Sequence, residues 1–448
     1  MKQPENGKTN EGLSRRAMLT RLGLLGAAVP FAFPRAFPGL PSLLEVPAPA
    51  APQAFSAADI ALLDDLERAI CLYFWEQASP KTGLAKDRAR ATGHDTRKLA
   101  SISSTGFGLT SLCIAHSRGY LPRDDIRKRV LTTLRFLWDG MPGKNGFFYH
   151  WVDMDTGQRM LNSEVSSIDS SIAFCGVLTC RQYFDDPEIR KLAEQIYRRV
   201  NWPWMLDGGS TLSMGWKPEH GFLKARWNTY SELMMIYLLG LGSPAYPLPA
   251  DTWGAWKRPI FHYYGLSYIG SRAPLFINQY SQAWFDFRHR RDRYANYFQN
   301  SVLATRAHKR FCLSLHKRYS DYTKDLWGIS ASDSAHGYVV WGGPPAMGPI
   351  DGTVVPCAAG GSLPFLPEET ILVLRTMRER FGEHAWKRYG FVDAFNPLTG
   401  WFDTDVIGID LGITVLMAEN ARTGFVWKTF MKNPEAREGM KRAGFHPE

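Results

Sequence analysis

Glu232 is the residue whose surroundings best suit acid chemistry. It is followed by apolar residues, and at helical spacing Met235, Ile236 and Leu239 fall on its own side of a helix. Burial against such side chains removes water from a carboxylate and raises its pKa, which a general acid needs near neutral pH. The same segment also matches a capping box, in which Thr229 is the N-cap and Glu232 binds the N-cap amide. Acid catalysis and helix capping both remain open at this position.

Three further acids precede apolar helical segments. Asp410 comes shortly before residues 413–417, where it can cap a helix. The positive end of the helix dipole would keep it ionised, as a base requires, and the same dipole opposes a raised pKa at Glu232. Glu164 and Asp169 precede another apolar segment. They can bind sugar hydroxyls, exchange protons or simply complement a helix N-terminus.

Aromatic and acidic residues also meet in glycine-rich segments that are typical of a cleft rim. Trp327 and Asp333 share one such segment, although a single aspartate there is often a turn former. The chain has 15 Trp, and flat indole faces stack on sugar rings; core packing is the alternative for each of them. The sequence contains no zinc-protease, nucleophile-elbow, P-loop or dinucleotide-binding motif, so neither a metal nor a cofactor is expected.

The elements that must position these residues are mainly helices. Ser56 is placed to cap the first, and the rhythm thereafter is two helices and then a long loop, repeated about six times. This predicts an all-α (α/α)6 toroid, six helical hairpins around a central cavity with long rim loops, as one domain over residues 56–448. Helices are predicted at residues 57–77, 104–117, 123–138, 168–183, 187–200, 231–241, 280–287, 294–313, 367–381, 384–389 and 412–422.

The first 50 residues are predicted to be an export segment. Residues 14–16 read Ser-Arg-Arg ahead of a short apolar stretch, which is a twin-arginine pattern. The stretch is interrupted by Pro30 and is too short for a comfortable membrane span, and residues 48–50 offer a cleavage site. The pattern implies the twin-arginine translocation machinery as a partner and a periplasmic or secreted protein; an uncleaved N-terminal anchor is the alternative. No other membrane span is predicted.

The charge and the cysteine content argue against nucleic-acid binding and against a metal site built from cysteines. The formal charge is +10, but no Lys/Arg block carries interleaved aromatic residues, so nucleic acid is not an expected partner. The six cysteines lie mostly in apolar helical context without metal-type spacing, which predicts buried free thiols. Disulfide bonds remain an alternative, because the chain is predicted to be exported.

Motifs spread over nearly all of residues 60–445 resemble, in order, the bacterial glucoamylase-like family, whose relatives include endo-β-1,2-glucanases and the cyclic β-1,2-glucan-processing domain. The matching segments are residues 73–78, 82–84, 104–108, 146–150, 166–169, 202–205, 214–219, 237–243, 279–281, 284, 286–288, 327–328, 331–333, 351–353, 361–365, 389–397 and 408–410. Such coverage makes a chance match improbable.

The resemblance implies a helical toroid that hydrolyses a glucan with inversion at the anomeric carbon, and β-1,2-linked glucan is the expected substrate. Inversion uses two carboxyl groups about 6.5–9.5 Å apart, one protonating the leaving oxygen and one activating water. The matched positions place the acid at Glu232 and the base at Asp410, with Asp169 and Glu164 as substrate contacts or a proton relay. Further substrate contacts are predicted at Asp333 and at the aromatic residues Trp216, Trp227, Tyr230, Trp284 and Trp327.

Several positions depart from what we expect of the family. Relatives are expected to carry His where this chain has Asn278 and Gln282, an amide at Leu411, and often an acid at Ser231. These departures line the expected cleft, where linkage specificity and activity are determined. A glucan transglycosylase or exo-glucosidase of the same fold, and a non-catalytic glucan-binding envelope protein, therefore remain alternatives.

Overall fold

The computed structural model describes residues 55–271, 274–344 and 348–448, and the chain there is mostly helical. The helices are α1 Ala57–Glu76, α2 Ile102–Arg118, α3 Arg123–Arg135, α4 Ser167–Tyr183, α5 Pro187–Arg198, α6 Met234–Gly242, α7 Tyr297–Ser314, α8 Pro356–Gly360, α9 Pro367–Ala385, α10 Gly408–Thr423, α11 Phe425–Phe430 and α12 Pro434–Arg442. A π-turn covers Phe136–Gly140, and 3-10 turns cover Trp202–Leu206, Ala250–Gly254, Leu275–Asn278 and Tyr280–Ala283.

Short strands lie between the helices and pair locally. They are β1 Arg88–Arg90, β2 Leu99–Ser101, β3 Gly143–Lys144, β4 Phe147–Phe148, β5 Trp151–Asp153, β6 Val165–Ser166, β7 Gly215–Lys217, β8 Gly221–Phe222, β9 Ile260–Tyr263, β10 Leu266–Ile269, β11 Arg290–Arg291, β12 Ala331–Ser332, β13 Val339–Val340, β14 Trp386–Lys387, β15 Gly390–Phe391, β16 Phe395–Asn396, β17 Trp401–Phe402, β18 Asp405–Ile407 and β19 His446–Pro447. All the named strand pairs are antiparallel, and the one three-stranded sheet among the described residues has the order β6-β7-β8.

Helices buried on every side alternate along the chain with helices that bury one face. All residues of α6 and α8 are buried, as are those of α2 from Ile102 to Ala115 and those of α4 from Ser167 to Cys180. The intervening helix α5, in contrast, buries only five of its residues. A helix surrounded by apolar contacts belongs inside a domain and an amphipathic one at its periphery, so the chain forms an inner and an outer helical layer.

Glycines let the inner helices touch through their backbones. A Cβ atom on Gly106 of α2 would lie 2.4 Å from the carbonyl oxygen of Ile172, and one on Gly176 of α4 would lie 2.2 Å from the oxygen of Gly106. Helix α10 approaches α2 as closely, since a Cβ on Gly412 would lie 2.3 Å from the Phe107 ring. Only glycine permits such contacts, which lock these three helices together.

The N-terminal ends of three inner helices lie along one series of strands. Strand β2 leads directly into α2, β6 into α4 and β18 into α10. Strand β1 pairs with β18 and β2 pairs with β5, while the bridges Lys86↔Ala100 and Tyr149↔Val165 join these pairs to one another and to β6. Polar residues at these strand ends and helix starts are therefore brought together, although they are far apart in the sequence.

Most predicted helices are confirmed, and the exceptions occur where short polar turns interrupt an apolar pattern. Ser56 caps α1 in a complete capping box with Asp59. The helix predicted at residues 280–287 is wrong, because only a 3-10 turn forms over Tyr280–Ala283. The helix predicted at residues 384–389 is also wrong: α9 runs on to Ala385, and the hairpin of β14 and β15 follows. All six cysteines are buried and free, as predicted.

No helix within the described ranges is long and apolar enough to cross a membrane. The export segment predicted at residues 1–50 lies outside the described residues and stays a prediction.

Candidate active site

Glu232 lies in the turn that leads into α6. The helix begins at Met234, and Thr229 Oγ1 donates to Asn228 Oδ1, so the capping box predicted for Thr229 and Glu232 is wrong. Ser281 takes that role from another segment: its Oγ accepts from the N–H of Met235 at 3.0 Å and donates to the carbonyl of Glu232 at 2.8 Å. Glu232 is buried, with 6% of the residue exposed.

Asp410 is the third residue of α10 and is also buried. Oδ1 of Asp410 accepts a hydrogen bond of 3.5 Å from the hydroxyl of Tyr280, while its backbone carbonyl accepts from Thr414. Asp410 lies in the first turn of α10, where the helix dipole favours a negative charge. Because Tyr280 precedes Ser281, one 3-10 turn contacts Asp410 through one residue and the Glu232 backbone through the next.

Glu164 and Asp169 lie together beside a histidine that our sequence analysis did not select. Nδ1 of His150 is 3.4 Å from Oε1 of Glu164, and its Nε2 is 3.7 Å from Oδ1 of Asp169. Ser166 caps α4 by accepting from the N–H of Asp169 at 3.1 Å, and its hydroxyl donates to the Asp169 carboxylate. An imidazole between two buried carboxylates can pass protons or bind hydroxyl groups. The segment 146–150 had marked His150 only as part of a motif.

A second buried acidic cluster centres on Asp393. Oδ2 of Asp393 accepts from the N–H of Asp333 at 2.8 Å, and Oδ2 of Asp333 accepts from Nη1 of Arg88 at 2.6 Å. Burial raises the pKa of Asp393 well above its ordinary range, and the charges of Asp410 and Asp333 raise it further. Burial likewise raises the pKa of Asp403 to about 7. Asp393 belongs to the segment 389–397, but the sequence gave no reason to choose it over the other polar residues there.

One chain of contacts joins the two clusters. The His150 ring stacks on Trp151 with ring centroids 4.1 Å apart, and the Trp151 indole donates to Oδ1 of Asp87 at 3.2 Å. The other carboxylate oxygen of Asp87 lies 3.2 Å from Nε of Arg88, the same guanidinium that binds Asp333. The site therefore presents a continuous polar surface of carboxylates, one imidazole and one guanidinium, which suits a ligand rich in hydroxyl groups.

Four of the five predicted sugar platforms are core residues instead. Trp227, Tyr230, Trp284 and Trp327 are at most 2% exposed, so none presents an open ring face. Their polar atoms are partly used internally: the Trp284 indole donates to Thr110, and the Trp227 indole donates to Ser167. Trp216 on β7 remains partly exposed, with Nζ of Lys144 5.6 Å from its ring centroid. High aromatic content thus reflects core packing more than sugar binding.

Of two cavities in the described part of the chain, only the smaller is lined by a predicted catalytic residue, Asp410. A small internal cavity of about 20 Å³ is lined by Asp393 and Asp410 together with apolar side chains, enough for about one water molecule. An open cavity of about 580 Å³ lies elsewhere, between the C-terminal ends of α2, α4 and α10. Because the acids lie at the N-terminal ends of these helices, the site is defined by its chemistry and not by the larger cavity.

Comparisons with known proteins agree on one family. A family model described as "Putative glucoamylase" matches residues 224–434. The crystal structure of a "putative glucoamylase" from Bacteroides uniformis is 30% identical, covers 88% of this chain and 99% of its own, and superposes with a TM-score of 0.82. The endo-β-1,2-glucanase from Chitinophaga pinensis, solved with sophorotriose and glucose, is 27% identical over 87% of this chain and 99% of its own, also with a TM-score of 0.82.

A curated relative is longer than this chain. The exo β-1,2-glucooligosaccharide sophorohydrolase of Parabacteroides distasonis is 26% identical in an alignment of 427 positions that covers 87% of this chain. The match spans only 58% of that relative's length. The shared region is therefore one part of the larger protein.

Proposed function

Because this chain belongs to the glucoamylase-like family, we propose that it is a glycoside hydrolase that cleaves a β-1,2-linked glucan. The relative from Chitinophaga pinensis is an endo-β-1,2-glucanase, and the one from Parabacteroides distasonis is an exo β-1,2-glucooligosaccharide sophorohydrolase. The buried polar surface around Arg88 and His150 supports a substrate rich in hydroxyl groups.

We propose that the two helical layers form the (α/α)6 toroid. Buried helices alternate along the chain with amphipathic ones, as expected if the inner helices of six hairpins surround a centre. The helix N-termini at α4 and α10 carry Asp169 and Asp410, and Glu232 comes just before α6. In such a toroid these three ends meet at one mouth of the central cavity.

The observation that carries the mechanism is the turn Tyr280–Ser281, which contacts both proposed catalytic residues. Glu232 is the proposed general acid: it protonates the glycosidic oxygen as the bond to the anomeric carbon breaks. Asp410 is the proposed base: it takes a proton from a water molecule that attacks the opposite face of that carbon. The product then has the α configuration, because the new C–O bond forms opposite the broken one.

The remaining polar residues are assigned to substrate binding. Glu164 and Asp169, held by His150 and Ser166, can accept hydrogen bonds from sugar hydroxyls. Asp333 lies in the same polar surface through Arg88. Trp216 is the one predicted platform that keeps an accessible ring.

The proposal includes export to the periplasm or beyond through the twin-arginine machinery. Support comes from the sequence of residues 14–16 and the apolar stretch that follows them. Fusion of residues 1–50 to a reporter that is active only after folded export tests this step, with Arg15→Lys plus Arg16→Lys as the control. Equal export of both fusions would contradict a twin-arginine route.

Incubation with linear β-1,2-glucan and a panel of other glucans tests the activity. Wild type is expected to release products from β-1,2-glucan, whereas Glu232→Gln is expected to lose at least about 100-fold in kcat. Glu188→Gln is the control, because Glu188 is a surface residue that pairs with Arg135 and is not part of the proposed site. Equal rates for wild type and Glu232→Gln would remove Glu232 from the mechanism.

The same assay separates the alternatives. NMR of the nascent products should show the α-anomer first if the reaction inverts. Products longer than the substrate would indicate a transglycosylase, and a single short product from the chain end would indicate exo-action. Binding without products on any glucan would favour a non-catalytic protein. The departures at Asn278 and Gln282 do not support that alternative, because both side chains are buried: Asn278 accepts from the hydroxyl of Tyr230, and Gln282 donates to Ser301.

A further inference from the structure

Three aspartates from separate loops, of which Asp333 and Asp393 are buried and Asp403 is half-buried, share an unusual pattern. Each uses one carboxylate oxygen within the protein: Asp333 Oδ2 binds Arg88 at 2.6 Å, Asp393 Oδ2 accepts from the N–H of Asp333 at 2.8 Å, and Asp403 Oδ1 accepts from the N–H of Asp405 at 3.1 Å. The second oxygens, Asp333 Oδ1, Asp393 Oδ1 and Asp403 Oδ2, are buried and accept no hydrogen bond from any residue in 55–271, 274–344 or 348–448. A buried carboxylate oxygen without a donor is costly unless something else binds it.

The spacing of the three carboxylates matches a cation. One ligand oxygen from each lies within 4.8 Å of the others. Ca²⁺ binds oxygen ligands at about 2.3–2.6 Å, so oxygens that share one such ion lie at most about 5 Å apart. Mg²⁺, with ligands at about 2.0–2.1 Å, requires a tighter and more regular arrangement. The three oxygens are therefore close enough together to bind one ion of this size.

The charges nearby leave the cluster short of positive charge. The guanidinium of Arg88 contacts this cluster through Asp333, but it also binds Asp87. Asp393 is 5% exposed and also lies near the charge of Asp410, so water does not screen the repulsion.

We propose that Asp333, Asp393 and Asp403 bind a divalent cation of the Ca²⁺ type. The ion would link the segments after β12, after β15 and after β17, which contribute one ligand each. It would also supply the positive charge that Asp393 lacks beside Asp410. Our sequence analysis expected no metal because it looked for motifs, and ligands from three loops at least ten residues apart leave no motif.

Thermal unfolding of the chelator-treated full chain, with Ca²⁺ or Mg²⁺ added and no glucan present, tests the site. Binding to the folded state alone raises the melting temperature as the ion concentration exceeds Kd. We expect a rise of at least about 2 °C with Ca²⁺ in the millimolar range, a smaller one with Mg²⁺, and reversal by EGTA. Isothermal titration calorimetry should give one site per chain.

Two variants make the outcome specific. Asp403→Asn removes one ligand and one repelling charge, so it should melt no lower than wild type in EGTA and should lose the Ca²⁺ shift. Asp286→Asn, which removes a carboxylate paired with Arg288, should keep the shift. Equal shifts in wild type and Asp403→Asn, or no shift and no heat up to about 10 mM Ca²⁺, would overturn the proposal. A shift with sophorose but not Ca²⁺ would assign the three oxygens to sugar hydroxyls instead.

Discussion

The hydroxyl of Tyr280 donates to Oδ1 of Asp410 across 3.5 Å, and this contact ties the proposed base to the segment that holds Glu232 in place. Tyr280 is 2% exposed and packs edge-on against Phe107 of α2, with ring centroids 5.6 Å apart. Its ring is thus fixed by the core, and its hydroxyl can orient the carboxylate that must approach water. Tyr280 is a positioning residue in the proposed mechanism.

Tyr280→Phe should reduce kcat on linear β-1,2-glucan while leaving KM nearly unchanged. The contact is long for a hydrogen bond to a carboxylate, so its loss should cost about 1 kcal/mol, or about fivefold in rate. Steady-state kinetics of wild type and Tyr280→Phe measure this. Tyr246→Phe, at an exposed tyrosine, is the control. A change in KM alone would mean that Tyr280 acts on substrate binding.

Gly176→Ala should destabilise the fold strongly. The new methyl group would lie 2.2 Å from a backbone oxygen of Gly106, and a helix backbone cannot yield as a side chain can. Overpacking of this kind costs about 3 kcal/mol or more. Gly382→Ala is the matched control: in α9 the nearest atom is the flexible end of Arg378 at 3.2 Å, so alanine should stabilise by up to about 1 kcal/mol. Urea unfolding compares them, and equal midpoints would contradict close backbone packing.

The helical layers could be predicted from the sequence because their signal is local. Apolar residues at helical spacing identified the long helices, and Ser56 marked the start of α1. The prediction failed at residues 384–389, where the hairpin of β14 and β15 depends on pairing that no local pattern reveals. It also placed the start of α6 too early, because Ser281, a residue distant in sequence, caps that helix.

The site could be predicted only in part, because some of its residues meet through contacts between distant parts of the sequence. Acids at helix starts such as Asp410 and Asp169 are visible as a local pattern. His150 and Asp393 become partners of these acids only through strand pairing and loop contacts. Exposure of the tryptophans was not predictable either, because a buried indole and a sugar platform have the same local sequence.

The thiols of the native protein should not react with a thiol reagent such as Ellman's. All six cysteines are buried, and burial raises the pKa of Cys71 and Cys175 well above the ordinary value and that of Cys312 to about 12. After unfolding in urea without reductant, six thiols should react. Sγ of Cys113 lies 3.6 Å from Sγ of Cys180, so a count of four would show that this pair had oxidised.

His308 should make the protein less stable as the pH falls below neutral. Burial lowers the pKa of His308 to about 3, and its Nε2 accepts from the N–H of Ile329 at 3.0 Å, which requires the neutral ring. In the unfolded chain the imidazole binds a proton near pH 6.5. The unfolded state therefore holds more protons between about pH 6.5 and pH 3, and His308 contributes its full stability above this window.

His308→Gln should flatten this dependence, because an amide oxygen can accept from Ile329 without titrating. Wild type should lose up to about 1.4 kcal/mol per pH unit more than His308→Gln between pH 6.5 and pH 4.5. Urea unfolding at several pH values gives the free energy of unfolding of both proteins. Subtracting one value from the other at each pH cancels the contributions of the other titrating groups. His336→Gln, at an exposed histidine, is the control. Parallel curves for wild type and His308→Gln would show that His308 takes up its proton in the folded state as readily as in the unfolded chain.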